Sequence, residues 1–164
     1  MSKYAASKSK KRKRERSGES NKFNIISIMK NKFSPKNNPR VIIIQKLYGK
    51  HFNDDENLSF PKHRFKKFIK DVVLGSLERN ELIIDELETK LGENFSFKNL
   101  DKVFQIILTA ATYEFLYKPN LSLNIIIKEY LNSSNFFLEN SQTKYLNALL
   151  DNIGKKLRSK NARV

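Results

Sequence analysis

LDKVFQIILTAATYEF, residues 100–115, decides the fold class. Its apolar side chains Leu100, Val103, Phe104, Ile107, Leu108, Ala111 and Phe115 recur at intervals of 3, 1, 3, 1, 3 and 4. That is the rhythm of one helix face at about 3.6 residues per turn, whereas a half-buried strand alternates. Pro119 cannot continue the helix and ends it.

The same reading extends outward in both directions. Downstream, Ser122 precedes a helix with Leu123, Ile126, Ile127, Tyr130 and Leu131 inward. After the Asn132–Asn140 connection a last helix carries Leu146, Leu149, Leu150, Ile153 and Leu157. Upstream, Asn80 is positioned to cap a helix that buries Leu82, Ile83, Leu87 and Leu91 and stops at Gly92. Before it, residues 61–78 form a helix with Phe65, Phe68, Ile69, Val72, Val73 and Leu74 inward and Lys62, Arg64, Lys66, Lys67 and Lys70 outward. Gly75 within it costs about 1 kcal/mol relative to Ala, which is explained if a neighbouring helix comes close there. The first helix starts at Asn38-Pro39, an N-cap followed by a proline whose missing N–H would be unpaired anyway. Ile43, Ile44, Leu47 and Tyr48 form its stripe, and Gly49 with residues 53–56 closes it. No segment reads as strand, so the expectation is an all-α fold: a single domain of about six to seven helices, packed as two small helical bundles.

Charge divides the chain differently. Residues 1–36 carry twelve Lys or Arg against Glu15 and Glu19, and residues 155–164 carry Lys155, Lys156, Arg158, Lys160 and Arg163 with no acid. Between them, fifteen basic residues balance fifteen acidic ones, so the net charge of +15 resides in the ends. A single-sign field in extended arms attracts polyanions. Residues 1–35 are expected to be a disordered basic extension, because ordering them costs about 1–2 kcal/mol per residue in backbone entropy with little burial to offset it. Within it, Lys10, Lys11, Arg12, Lys13, Arg14 and Arg16 are candidates for sequence-independent RNA contact, and Phe23, Ile25, Ile26, Ile28, Met29 and Phe33 for a turn or two of helix. Residues 36–157 are the folded domain and 158–164 a basic C-terminal tail.

Few residues suit catalysis or metal binding. There is no cysteine, and the five glycines are scattered, which excludes a thiolate site and a glycine-rich phosphate loop. His51 and His63 have no carboxylate at ligand spacing, so no metal and no cofactor is expected. Acids cluster only in solvated stretches such as Asp85, Glu86 and Glu88, where nothing raises a pKa, so the expectation is that this is not an enzyme. No apolar run approaches the roughly 20 residues that cross a bilayer, and residues 25–29 are too short for a signal core, so a cytoplasmic protein without membrane contact is expected. Glu114 and Glu129 stand in strongly apolar helices. Each is either a surface acid, Glu114 pairing with Lys118 at i+4, or a buried hydrogen-bonded acid pinning two helices together.

Four stretches together resemble the transcription antitermination protein NusB family. They are RVIIIQKLY (40–48), DVVLG (71–75), ILTAATYEF (107–115) and the pair IIIKEY (125–130) with YLNALLD (145–151), covering about residues 36–157. The sequence departs from the family at Thr109 and Lys128, where Arg and Asn are usual, and its first helix keeps only Lys36 and Arg40 of an arginine-rich start. The resemblance implies an all-α RNA-binding factor for boxA, a single-stranded element of ribosomal RNA transcripts, bound with the small-subunit ribosomal protein NusE in the RNA polymerase antitermination complex. It implies RNA contacts at Lys36, Arg40, Gln142, Lys144 and Tyr145, and structural roles for Glu114, Glu129, Asn147 and Asp151. Physics is compatible with this, since helix starts favour phosphate and an exposed aromatic stacks on an unpaired base. Whether the chain forms a homodimer is left open.

Two other readings stand beside this one. A helical protein-binding adaptor would use its basic ends only for solubility. The NusB-like domain of an rRNA cytosine methyltransferase would need a catalytic domain that is not expected here.

Overall fold

The computed structural model describes residues 35–55 and 57–161, and the chain divides into two units, residues 1–37 and 38–164. Of the first unit only the 3-10 turn Pro35–Asn37 is described. The expected disordered extension, its apolar cluster and the run from Lys10 to Arg16 lie outside the described residues.

The second unit consists of helices α1 (Pro39–Phe52), α2 (Lys66–Glu78), α3 (Asn80–Leu91), α4 (Lys102–Tyr117), α5 (Leu123–Ser134) and α6 (Asn140–Asn161), with a 3-10 turn at Phe97–Asn99. No strand occurs among the described residues. Local signals start and stop these helices. Asn38 Oδ1 accepts from the N–H groups of Arg40 at 2.9 Å and Val41 at 3.3 Å, and Ser122 Oγ accepts from Ile125 N–H at 3.3 Å. Asp101 does the same for α4 through Val103 N–H at 2.9 Å. Each such cap stabilises its helix by about 1 kcal/mol. Gly92 ends α3 at φ 87°, a conformation a side chain would strain.

Helix α4 is the axis of the domain and packs against every other helix. Its residues from Ile106 to Phe115 are all buried, including Thr109, Thr112 and Glu114. The helix is therefore enclosed rather than one-sided, as expected of an element surrounded by neighbours. Helices α1 and α2 pack on each other as well as on α4, and α6 packs on α3 and α5, but the buried side chains form one continuous core, so the two expected bundles share α4. Gly75 explains how α2 comes so close: a Cβ there would fall within the Tyr113 ring of α4.

Several expected inward residues face solvent. Helix α2 begins at Lys66 rather than near Pro61, which leaves Phe65 ahead of it and exposed. Tyr48, Leu74 and Leu82 are also exposed, because each lies one residue to the side of a narrower buried stripe. Asn80 is the first residue of α3 and makes no capping bond. The expected tail at 158–164 also needs correction, since α6 continues to Asn161. Arg158 donates to the carbonyls of Phe115, Lys118 and Leu121, groups left free where α4 ends.

Candidate nucleic-acid interface

The first turn of α1 places Arg40 against the middle of the domain. Its guanidinium makes a two-pronged bond to Glu114 of α4, Nε to Oε1 at 3.1 Å and Nη2 to Oε2 at 2.7 Å. The Tyr130 hydroxyl of α5 donates to the same Oε1 at 2.7 Å. The guanidinium also lies 5.2 Å from the Phe68 ring centroid and 5.4 Å from that of Tyr130. Only 6% of Arg40 is exposed, and Glu114 is fully buried. Burial opposes charge on Arg40, yet Glu114, with Tyr130 and Glu129 in support, raises its pKa above the ordinary value. Burial likewise pushes the Glu114 carboxyl up, partly offset by Arg40 and the Tyr130 hydroxyl, and pushes the Tyr130 hydroxyl well up, so that it remains a donor. The Ser133 hydroxyl of α5 lies 2.7 Å from the Glu129 carbonyl and 3.2 Å from Asn38 Oδ1, two acceptors that share its one proton.

Arg40 is thus committed mainly to the interior: Glu114 takes two of its five N–H groups, two rings flank the guanidinium, and little of the residue meets solvent. The same pair decides between the two readings of Glu114 in favour of the acid that pins helices together, while Lys118 pairs with Asp71 instead. Glu129 reaches only the edge of the cluster, 3.9 Å from Arg40 Nη1, with its side chain 39% exposed. Asn147 is exposed, and Asp151 forms a surface pair with Lys155 at 2.6 Å. Neither ties α6 to another helix, because both lie off its buried stripe of Leu146, Leu149, Leu150 and Ile153.

The start of α6 is arranged in the opposite way. Gln142 Oε1 accepts from Glu139 N–H at 3.0 Å, the backward half of a capping box, which leaves its amide N–H groups available. Lys144 is exposed and makes no ion pair among the described residues. Tyr145 is 50% exposed, with its ring centroid 5.5 Å from that of Phe104 at an angle of 31°. One face thus rests on a buried ring and the rest of the ring meets solvent. Phe104 carries this platform, a role that its place in the apolar stripe does not reveal.

The structure does not join these two helix starts. Tyr145 rests on Phe104 and Arg40 bonds Glu114, anchor points about 15 Å apart along α4 at 1.5 Å rise per residue. Lys36 lies in the turn at Pro35–Asn37, outside the unit that holds the other four residues.

By fold, then, this is a small all-α domain built around one enclosed helix. The NusB family model matches residues 37–155, and the chain belongs to that family. Transcription antitermination protein NusB of Sphingopyxis alaskensis is 30% identical over 93 residues, 57% of this chain and 62% of that protein. The protein of the same name from Bartonella tribocorum is 28% identical over 110 residues, 67% of this chain and 68% of its own. The chain therefore spans somewhat under two thirds of the first relative and slightly more of the second. The solved structure of Thermotoga maritima NusB shares the fold with a TM-score of 0.63 at 24% identity, covering 74% of this chain and 92% of that one.

Proposed function

We propose that this protein is a cytoplasmic RNA-binding transcription antitermination factor. In this reading it binds boxA-type single-stranded RNA of ribosomal transcripts together with the ribosomal protein NusE, within the RNA polymerase antitermination complex. Family membership supports the class of activity. The observation that carries the RNA site is the half-exposed Tyr145 ring on Phe104, with unpaired Lys144 beside it. A base stacks on such a ring for about 1–3 kcal/mol, and an adjacent ammonium holds the next phosphate. Gln142 supplies amide donors at the same helix start, while Lys36 and the basic head from Lys10 to Arg16 add sequence-independent attraction. Arg40 contributes by holding the domain together.

Titration of boxA-like and scrambled RNA, with and without NusE, tests this reading. Tighter binding of the boxA-like RNA, further tightened by NusE and weakened steeply by salt, is the expected result. A salt-insensitive interaction with NusE and no RNA binding would leave the protein-binding adaptor in its place. Deleting residues 1–33 is expected to weaken both RNAs by similar factors and to flatten the salt slope, because phosphate contacts carry no sequence information.

A further inference from the structure

A groove of about 830 Å³ opens between α4 and helices α1, α2 and α3, and none of the residues above uses it. Helix α4 contributes Lys102 and Ile106 to it, residues whose helical spacing turns them away from the side where Phe104 meets Tyr145. Lys50 and His51 come from the end of α1 and Lys98 from the 3-10 turn, while Leu77 and Phe97 supply an apolar floor. Asp54 is the only carboxylate among the lining residues.

The lysines here are not neutralised. The Lys50 ammonium donates to the backbone carbonyl of Asp54, Lys102 donates to Gln105 Oε1 at 2.7 Å, and Lys98 has no partner among the described residues. By contrast Lys90, Lys118 and Lys155 pair with Glu86, Asp71 and Asp151. Since residues 37–154 hold equal numbers of basic and acidic residues, three lysines against the one lining carboxylate of Asp54 make a local excess of positive charge. Ser76, 1% exposed, also lines the groove with a hydroxyl that lacks a hydrogen-bond partner. Lys102 opens α4 two residues before Phe104, so the groove begins where the Tyr145 platform ends, across a helix about 10 Å wide.

We propose that this groove is a second phosphate-holding segment for the same RNA. A strand stacked on Tyr145 passes over the start of α4, where Asp101 already caps the helix, and lays its next phosphates along Lys102, Lys98 and Lys50. The inference rests on the RNA-binding reading above and lengthens its footprint.

The test uses the full chain, a short boxA-like RNA and the same RNA extended by several nucleotides at each end. The variants are Tyr145→Ala and the triple replacement Lys50→Gln, Lys98→Gln and Lys102→Gln. The triple variant is expected to bind the short RNA like the wild type and the long RNA about tenfold more weakly, with a log-affinity against log-salt slope smaller by about 2, at about 0.7 per single-strand phosphate. Tyr145→Ala should weaken both RNAs. If the triple variant holds the long RNA with unchanged affinity and slope while Tyr145→Ala fails to hold it, the groove proposal is overturned and the RNA reading stands. If wild-type protein binds neither RNA, the RNA reading itself fails. Loss of NusE binding with long-RNA binding intact would make the groove a protein surface and also overturn the proposal. Should the triple variant melt early, Lys98→Gln alone, with no partner to lose, must still reduce the slope by about 0.7.

Discussion

At the start of α1 a cation is enclosed by two rings and a buried carboxylate, whereas at the start of α6 a cation stands beside one ring in solvent. Both helix starts hold a basic residue near an aromatic, although at α1 Pro39 has no N–H and Asn38 Oδ1 already accepts from those of Arg40 and Val41. Glu114 makes the difference. By engaging the guanidinium of Arg40 it turns the α1 start into a joint between α1, α4 and α5, and no acid among the described residues does this to Lys144. A basic residue at a helix start is therefore a binding residue only when the fold leaves its donors unused.

The largest effect should come from Arg40→Ala. It leaves the Glu114 carboxylate buried without its cation, which costs about 3–5 kcal/mol and should appear as a large fall in melting temperature. An Arg40→Ala protein of wild-type stability that no longer binds RNA would break the comparison and return Arg40 to the interface.

Tyr130→Phe sharpens the same side. It removes one hydrogen bond to the buried carboxylate and nothing of the ring beside Arg40, so denaturant unfolding should report a loss of about 1.5–3 kcal/mol. A loss near zero would mean that Arg40 alone satisfies Glu114.

On the α6 side the expected effects move from stability to binding. Tyr145→Ala should lose about 1–3 kcal/mol of RNA affinity, and Tyr145→Phe much less, because stacking needs the ring and not the hydroxyl. Melting curves measured alongside should stay close to wild type. If RNA binding falls only in step with unfolding, Tyr145 belongs to the core.

Glu129→Ala should do least. Its carboxylate is 3.9 Å from Arg40 and partly in solvent, so water and salt screen the pair and the loss should stay within about 1 kcal/mol. A loss as large as that of Arg40→Ala would show that the cluster depends on its edge as much as on its centre.

What was legible in the sequence follows the range of the interactions involved. The caps at Asn38 and Ser122, the stop at Gly92 and the stripe of α6 all read correctly, because each depends on residues within about one or two turns. The backward cap from Gln142 to Glu139 was also within reach, since its three-residue spacing is the capping-box spacing, although Glu replaces the usual Ser or Thr. The enclosure of α4 on all sides was not legible, because periodicity shows which face is most apolar and not how many helices surround it. Nor was the choice between the two readings of Glu114, whose cation lies 74 positions away.

The sequence by itself determined the helical class, most helix limits, and a charge-balanced middle between basic ends. Only the tertiary structure decided that Arg40 is spent inside, that Tyr145 stays half in solvent, and that Lys50, Lys98 and Lys102 share one groove. Helix periods and caps are interactions between near neighbours in the chain. Burial and charge pairing depend on what packing brings from tens of residues away, and that packing determines which side chains remain free to bind.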